Sequence, residues 1–151
     1  MQNYSFDPEY LRDKYRQERD KRLREDGNDQ YQEVSGDFSY FVDDPYINEA
    51  IERQALTDSY EIVIIGGGFG GVLAASRLKE AGFSDFKIIE KGGNFGGTWY
   101  WNRYPGASCD IESYIYFPLL EETKFIPGKK YTNAPETLEY FDVISEKFGL
   151  N

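Results

Sequence analysis

A glycine-rich turn near the middle of the sequence has the residue types and the spacing of a phosphate-binding loop. Gly66, Gly68 and Gly71 fit the pattern G-x-G-x-x-G, and Gly67 and Gly70 bring the turn to five glycines. In such a turn, the first glycine permits tight curvature, the second lets a pyrophosphate approach the backbone, and the third lets a helix pack closely on a strand. The N–H groups and the dipole at the N-terminus of the following helix attract the phosphate.

An acidic residue follows this turn at a distance suited to a ribose ligand. Glu90 lies 24 residues after Gly66, where its carboxylate can accept hydrogen bonds from ribose hydroxyls. A carboxylate at this point disfavours a 2′-phosphate, so the pattern indicates FAD or NAD, rather than NADP, as the dinucleotide held here. The alternative is that the glycines serve only a tight connection between two elements.

The elements that must position these residues are a strand, a helix and a second strand. The β-branched run at 62–65 predicts a buried parallel strand, residues 72–81 have a helical period that ends at Gly82, and residues 86–89 predict a second strand. The sequence therefore predicts an α/β fold with a Rossmann-type βαβ dinucleotide-binding unit.

A second motif follows over residues 96–113, and we predict a loop that is stiffened by Pro105. It carries Trp99 and Trp101 together with the carboxylates of Asp110 and Glu112. Its aromatic side chains could pack on a flat ring beside the nucleotide. Alternatively, the two tryptophans could simply anchor a hydrophobic core.

The composition excludes several other kinds of chemistry. The 151 residues include no histidine and one cysteine, and the net charge is −10. A histidine-containing triad, a His-ligated metal, a cysteine-rich zinc cluster and an intrachain disulfide are therefore excluded, and we expect no metal site. The acidic balance argues against nucleic-acid binding, and no apolar run approaches the ~20 residues of a membrane span. The expected location is a reducing cytoplasm.

The N-terminal part of the chain differs in character from the rest. Residues 1–58 predict a helical and extended arm, and residues 59–151 predict the N-terminal part of a Rossmann domain. Within the arm, a charged helix is expected to begin at Asp7 and Pro8 and to end at Gly27. An extended segment with interleaved aromatic residues follows, and then a short helix at about 48–56.

The second motif carries a resemblance to a known family. It reads GGxWxxxRYPGxxxD and follows a glycine turn and an acid-ended strand, which resembles the N-terminal fingerprint of Baeyer–Villiger monooxygenases, within the class B flavin monooxygenases. The resemblance covers residues 60–116 well and extends to a helix near 135–148. It implies an enzyme that binds FAD tightly, reduces it with NADPH and uses O2 to oxidise ketones to esters or lactones.

The resemblance also assigns roles to individual residues. The glycines would surround the FAD pyrophosphate, and Glu90 would hold the adenosine ribose. Asp110 would lie near the isoalloxazine as a catalytic residue whose carboxylate holds an active-site arginine. Cys109 has no histidine neighbour, so we expect a small buried residue rather than a nucleophile. The cofactor-binding residues implied are Gly66, Gly68, Gly70, Gly71, Glu90, Thr98, Trp99, Tyr100, Trp101, Ser108, Cys109, Asp110 and Tyr116.

Several parts of the family pattern are missing from this sequence. It has no second G-x-G-x-x-G, no histidine for a linker motif and no downstream arginine to pair with Asp110. A two-stranded parallel sheet would also be uncovered on both faces. We therefore expect an incomplete FAD-binding portion of a longer enzyme, inactive by itself, whose partners are the remaining FAD and NADPH domains. The alternatives are a portion of an N- or S-oxygenating flavin monooxygenase, and a non-catalytic FAD-binding remnant or helper subunit.

Overall fold

A computed structural model describes residues 6–49, 52 and 54–150 of the chain. The chain forms two compact units, Met1–Asp43 and Asp44–Asn151. The division at 58/59 that the sequence suggests stays a prediction.

The first unit contains one α-helix and two short 3-10 helices. Helix α1 spans Pro8–Asp20, and the Asp7 side chain caps it by accepting hydrogen bonds from the N–H groups of Glu9 and Tyr10. The 3-10 helices span Gly27–Gln30 and Gly36–Val42. The helix ends well before Gly27, because the Arg22 N–H bonds at 2.8 Å to the Arg19 carbonyl, three residues back, instead of to the carbonyl four residues back that would continue the helix. No described residue of this unit is buried.

Two expectations for the segment before the sheet were wrong. The aromatic residues Phe38, Tyr40 and Phe41 lie in a 3-10 helix rather than an extended segment, and each is at least 60% exposed. The helix expected at 48–56 is absent from the described residues 48, 49, 52 and 54–56, while Ala50, Ile51 and Arg53 lie outside the described residues. Just before this segment, the Asp44 carboxylate accepts hydrogen bonds from the Tyr46 N–H and the Gly93 N–H, so contacts with another part of the second unit, rather than helical bonds, hold the chain that enters it.

The strand–helix–strand unit is confirmed. Strand β1 spans Ile62–Ile65, helix α2 spans Phe69–Glu80 and strand β2 spans Phe86–Ile89. The strands pair in parallel, from Ile62 opposite Phe86 to Ile65 opposite Ile89. In the described part of the chain no third strand joins this sheet. Ile65 is accordingly 88% exposed, as expected for an incomplete Rossmann-type unit.

The core lies between α2 and a long C-terminal helix. Helix α6 spans Ala134–Phe148, begins with an Asn133 cap and ends at Gly149 in the left-handed conformation, which confirms the expected helix near 135–148. Val72 of α2 and Tyr140, Phe141 and Ile144 of α6 are at most 1% exposed. Aromatic stacking continues the contact between the helices, with the Phe69 and Phe141 ring centroids 4.2 Å apart.

Three helices of one turn each connect these elements: α3 (Thr98–Trp101), α4 (Ser113–Tyr116) and α5 (Leu120–Thr123). The second motif is therefore not a plain loop, because α3 lies within it and α4 begins at its end. Among the described residues, no helix is long and apolar enough to cross a bilayer.

Candidate nucleotide-binding site

The glycine turn between β1 and α2 has three glycines that the chain itself requires, among them Gly67, whose added Cβ would lie 2.5 Å from a ring carbon of Phe95. Gly66 has a φ of +98°, a conformation that residues with a Cβ adopt rarely. A Cβ on Gly71 would overlap the carbonyl oxygen of Gly66, so glycine is needed for α2 to begin so close to β1. The Gly66 N–H donates to the Ile89 carbonyl at 2.8 Å, which fixes the turn to the end of β2.

Gly68 and Gly70 have no such requirement. Gly68 has a φ of −78° and caps α2 without a side-chain hydrogen bond. A Cβ on Gly68 would come no closer than 3.5 Å to a described atom, the Cα of Gly97, and a Cβ on Gly70 would meet no described atom within 4 Å. The N-terminus of α2 is therefore open to a ligand, and its N–H groups and dipole favour an anion there.

Glu90 lies at the end of β2 and faces the glycine turn. Its Oε2 accepts a hydrogen bond from the Gly67 N–H at 2.5 Å, and its Oε1 accepts one from the Gly92 N–H at 2.7 Å. An ionised carboxylate has about four acceptor positions. Two acceptor positions therefore remain for a diol while the backbone fixes the orientation of the carboxylate.

The second motif docks directly on the first. The Gly96 N–H donates to the Gly67 carbonyl at 3.0 Å. A Cβ on Gly97 would lie 2.8 Å from the Gly68 Cα, and Gly97 has a φ of +52°. The two turns therefore touch backbone to backbone, and α3 starts beside the N-terminus of α2.

A cleft of about 460 Å³ is lined by most of the second-motif residues that the sequence predicts to bind the cofactor. The Trp99 indole lines it and donates its Nε1–H to the Tyr116 hydroxyl at 3.2 Å. Because Trp99 is also only 9% exposed, it is both a core anchor and a wall of the cleft. Asp110 lines the same cleft with an exposed side chain. The predicted residues that line it are Thr98, Trp99, Ser108, Cys109, Asp110 and Tyr116.

Two predicted residues lie away from this cleft. Tyr100 is 3% exposed, and its hydroxyl donates to the Asp44 carboxylate at 2.6 Å. Burial and this hydrogen bond to Asp44 raise the pKa of Tyr100 above its ordinary value. Trp101 carries the Lys91 ammonium over its ring, 5.7 Å from the centroid.

Cys109 is buried at 5% exposure, and desolvation raises the pKa of its thiol despite hydrogen bonds with Thr137 and Ser113. A raised pKa keeps the thiol protonated near neutral pH, which matches the expectation that Cys109 is not a nucleophile.

A hydrogen-bond network that sequence reasoning missed holds the loop that carries Asp110. The Cys109 N–H donates to the Thr132 carbonyl at 2.8 Å, and the Thr132 N–H donates to the Ser113 hydroxyl at 2.8 Å. Ser113 and Thr132 are both fully buried, and their hydroxyls also bond to each other. Serine and threonine in a polar stretch gave no signal of this contact, because it joins residues 19 positions apart.

In the described ranges, no three His, Cys, Asp or Glu side chains are grouped so that they could hold a metal ion.

Comparisons with known proteins agree with this geometry. The model of the NAD(P)-binding Rossmann-like domain family matches residues 64–126. A Baeyer–Villiger monooxygenase of Streptomyces coelicolor is 45% identical over 140 residues, which cover 93% of this chain and 23% of that protein.

Solved structures show the same likeness. The polycyclic ketone monooxygenase of the thermophilic fungus Thermothelomyces thermophila is similar with a TM-score of 0.73 and 40% identity, over 95% of this chain and 24% of that one. The structure of OTEMO in complex with FAD and NADP is similar with a TM-score of 0.57 and 32% identity, over 62% of this chain and 18% of that one.

The fold and the glycine turn define a dinucleotide-binding protein of the Rossmann type. Within that class, the chain belongs to the Baeyer–Villiger monooxygenase family. It spans about a quarter of the length of the curated relatives that it matches.

Proposed function

We propose that this chain supplies the FAD cradle of a flavin monooxygenase that uses NADPH and O2 to oxidise ketones to esters or lactones. The observation that carries the proposal is the pairing of an uncapped α2 N-terminus at Gly68 with the Glu90 carboxylate, which the backbone orients while two acceptor positions remain. The first suits a pyrophosphate and the second suits a ribose diol.

The residues present fit FAD. Gly68 and Gly70 leave room for a pyrophosphate at the N–H groups of α2, where a side chain on Gly68 would project between the ligand and the helix. Their conformation and packing give no other reason for glycine at these two positions. Gly66 and Gly71 would give the turn the tight shape that surrounds the phosphates. Glu90 would accept hydrogen bonds from the adenosine ribose.

The cleft of the second motif would hold the flavin end of the cofactor. Trp99 and Tyr116 offer aromatic surface to a flat ring, and Thr98, Ser108 and Cys109 add small side chains to the lining. Tyr100 and Trp101 continue the same one-turn helix away from the cleft. When bound, FAD supplies the hydride acceptance from NADPH and the oxygen activation of the reaction.

Asp110 is the residue of this chain that we propose for catalysis. Its exposed carboxylate lines the cleft, and the loop that carries it is fixed to residues 130–134 by the Ser113 and Thr132 network. Held in this way, the carboxylate would orient a cation from another part of the enzyme toward the cofactor. The remaining FAD and NADPH domains would complete the site, and the single free thiol suits a cytoplasmic location.

The test uses the product of the complete reading frame. We expect NADPH consumption that depends on a ketone, with formation of the ester or lactone. The variant Asp110→Asn should lower turnover by about 100-fold or more (a barrier increase of about 2.7 kcal/mol) while FAD stays bound. Asp58→Asn, which removes the same charge from an exposed residue outside the cleft, is the matched control.

Two results would contradict the proposal. NADPH consumption that depends on an amine or a thioether, but not on a ketone, would support N- or S-oxygenation instead. Bound FAD without any oxygenation of these three substrate classes would support a non-catalytic FAD-binding protein.

A further inference from the structure

The carboxylate of Asp44 connects three separate parts of the second unit. Its Oδ2 accepts hydrogen bonds from the Tyr100 hydroxyl at 2.6 Å and from the Gly93 N–H at 2.9 Å. Its Oδ1 accepts a third from the Tyr46 N–H at 2.9 Å. Asp44 therefore joins its own segment to the turn after β2 and to α3.

A cation and two aromatic rings surround this carboxylate. The Arg103 guanidinium lies over the Tyr46 ring, 4.0 Å from the centroid, and over the Tyr100 ring, 4.5 Å from the centroid. Desolvation opposes ionisation of Asp44, but the hydrogen bonds from Tyr100, Tyr46 and Gly93 and the charge of Arg103 together hold the pKa of Asp44 below its ordinary value. The carboxylate is therefore ionised at neutral pH and acts only as an acceptor.

The turn that Asp44 holds is shaped to receive it. A Cβ on Gly92 would lie 2.8 Å from the Tyr100 ring, and a Cβ on Gly93 would overlap the Ile47 side chain and lie 3.0 Å from the Tyr100 hydroxyl. Both glycines are thus needed for Tyr100 and the segment at 44–47 to reach the turn.

Two successive N–H groups of this turn point at two different carboxylates. The Gly92 N–H donates to Glu90, and the Gly93 N–H donates to Asp44 and, at 3.0 Å, to the Tyr100 hydroxyl. A movement of the turn away from Asp44 would therefore also shift the Gly92 N–H that orients Glu90. We propose that Asp44, through the Tyr100 hydroxyl and the Gly93 N–H, is a positioning residue that fixes Glu90 for the ribose of the bound dinucleotide.

This inference rests on the proposed function, because it assumes that Glu90 binds the ribose of FAD. It predicts that Asp44 affects the affinity for FAD without touching the cofactor. It also assigns Tyr100 the role of holding the turn at Gly92 and Gly93 in place, rather than that of contacting the flavin.

The experiment measures the dissociation constant of FAD, by flavin fluorescence, for the product of the complete reading frame. Asp44→Asn and Tyr100→Phe should each raise the constant about tenfold. Tyr100→Phe removes a single hydroxyl, so it tests the inference even where Asp44→Asn folds poorly. Asp43→Asn makes the same charge change at the neighbouring exposed residue and should leave the constant unchanged.

A double-mutant cycle separates positioning from a general structural role. In a Glu90→Gln background, where the oriented carboxylate is already lost, Asp44→Asn and Tyr100→Phe should each add less than about a twofold change. A merely structural role would keep the two effects additive, and additivity would overturn the inference.

The single variants distinguish the two possible failures. Glu90→Gln with unchanged FAD affinity would remove the ribose role and with it the proposed function of that residue. Weakened FAD binding in Glu90→Gln, together with unchanged binding in both Asp44→Asn and Tyr100→Phe, would overturn only the positioning role.

Discussion

The two glycine-rich turns of this protein are alike in sequence and different in what fills the space beside them. In the turn at 92–97, every glycine is required by the chain, since each added Cβ would come within 3.0 Å of a protein atom. In the turn at 66–71, Gly66 is required by its positive φ and Gly67 and Gly71 are required by packing, whereas Gly68 and Gly70 are not required by either. The turn at 66–71 thus leaves room for a ligand beside Gly68 and Gly70, whereas the space beside the glycines of the turn at 92–97 is filled by other protein atoms.

This difference shows how a glycine motif can be interpreted physically. A glycine that a positive φ or a close backbone contact explains is structural, because the fold alone accounts for it. A glycine that neither explains, at the N-terminus of an uncapped helix, points to a ligand. The contrast separates Gly68 from Gly97, although their Cα atoms lie side by side.

The largest expected effect is on stability, from Gly97→Ala. Its Cβ would lie 2.8 Å from the Gly68 Cα in a backbone with a φ of +52°, so backbone strain and overpacking add together. We expect the free energy of unfolding in urea to fall by about 4 kcal/mol. The control is Gly70→Ala, whose Cβ meets no described atom within 4 Å, and a similar loss in both variants would contradict the comparison.

A smaller loss of stability is expected from Gly66→Ala. Gly66 has a φ of +98°, but an added Cβ would meet no described atom within 4 Å, so only the backbone strain remains. The free energy of unfolding should fall by about 2 kcal/mol. A loss as large as that of Gly97→Ala would show that the conformation alone, and not the contact between the turns, accounts for both.

The smallest free-energy change is expected from Gly68→Ala, and it concerns binding rather than stability. The Cβ would make only an ordinary 3.5 Å contact with Gly97, so unfolding should change by less than about 1 kcal/mol. The dissociation constant of FAD should rise about tenfold, because the side chain would come between the pyrophosphate and α2. Unchanged FAD affinity, with unchanged stability, would show that Gly68 serves neither the fold nor the ligand.

The sequence was sufficient to predict the strand, the turn and α2, because their signals are local. The β-branched run, the glycine spacing and the stop at Gly82 each concern neighbouring residues, and the structure confirms all three elements. The resemblance likewise selected six residues that the structure brings to one cleft.

The parts that the sequence did not predict depend on contacts between distant residues. Asp44 and Tyr100 are 56 positions apart, and Ser113 and Thr132 are 19 apart, so no local pattern marks either pair. The predicted helix at 48–56 was wrong for a related reason. The hydrogen bonds that Asp44 accepts from the Tyr46 N–H and the Gly93 N–H tie the chain just before this segment to the turn at 92–97.

The most direct test of the central claim is the flavin content of the product of the complete reading frame, purified and then equilibrated with FAD. The account predicts one FAD per chain, bound at the turn between β1 and α2, and a lower FAD affinity in Gly68→Ala and in Glu90→Gln than in the matched control Glu61→Gln. A properly folded protein that binds no FAD, or one that binds it equally well in all three variants, would contradict the account.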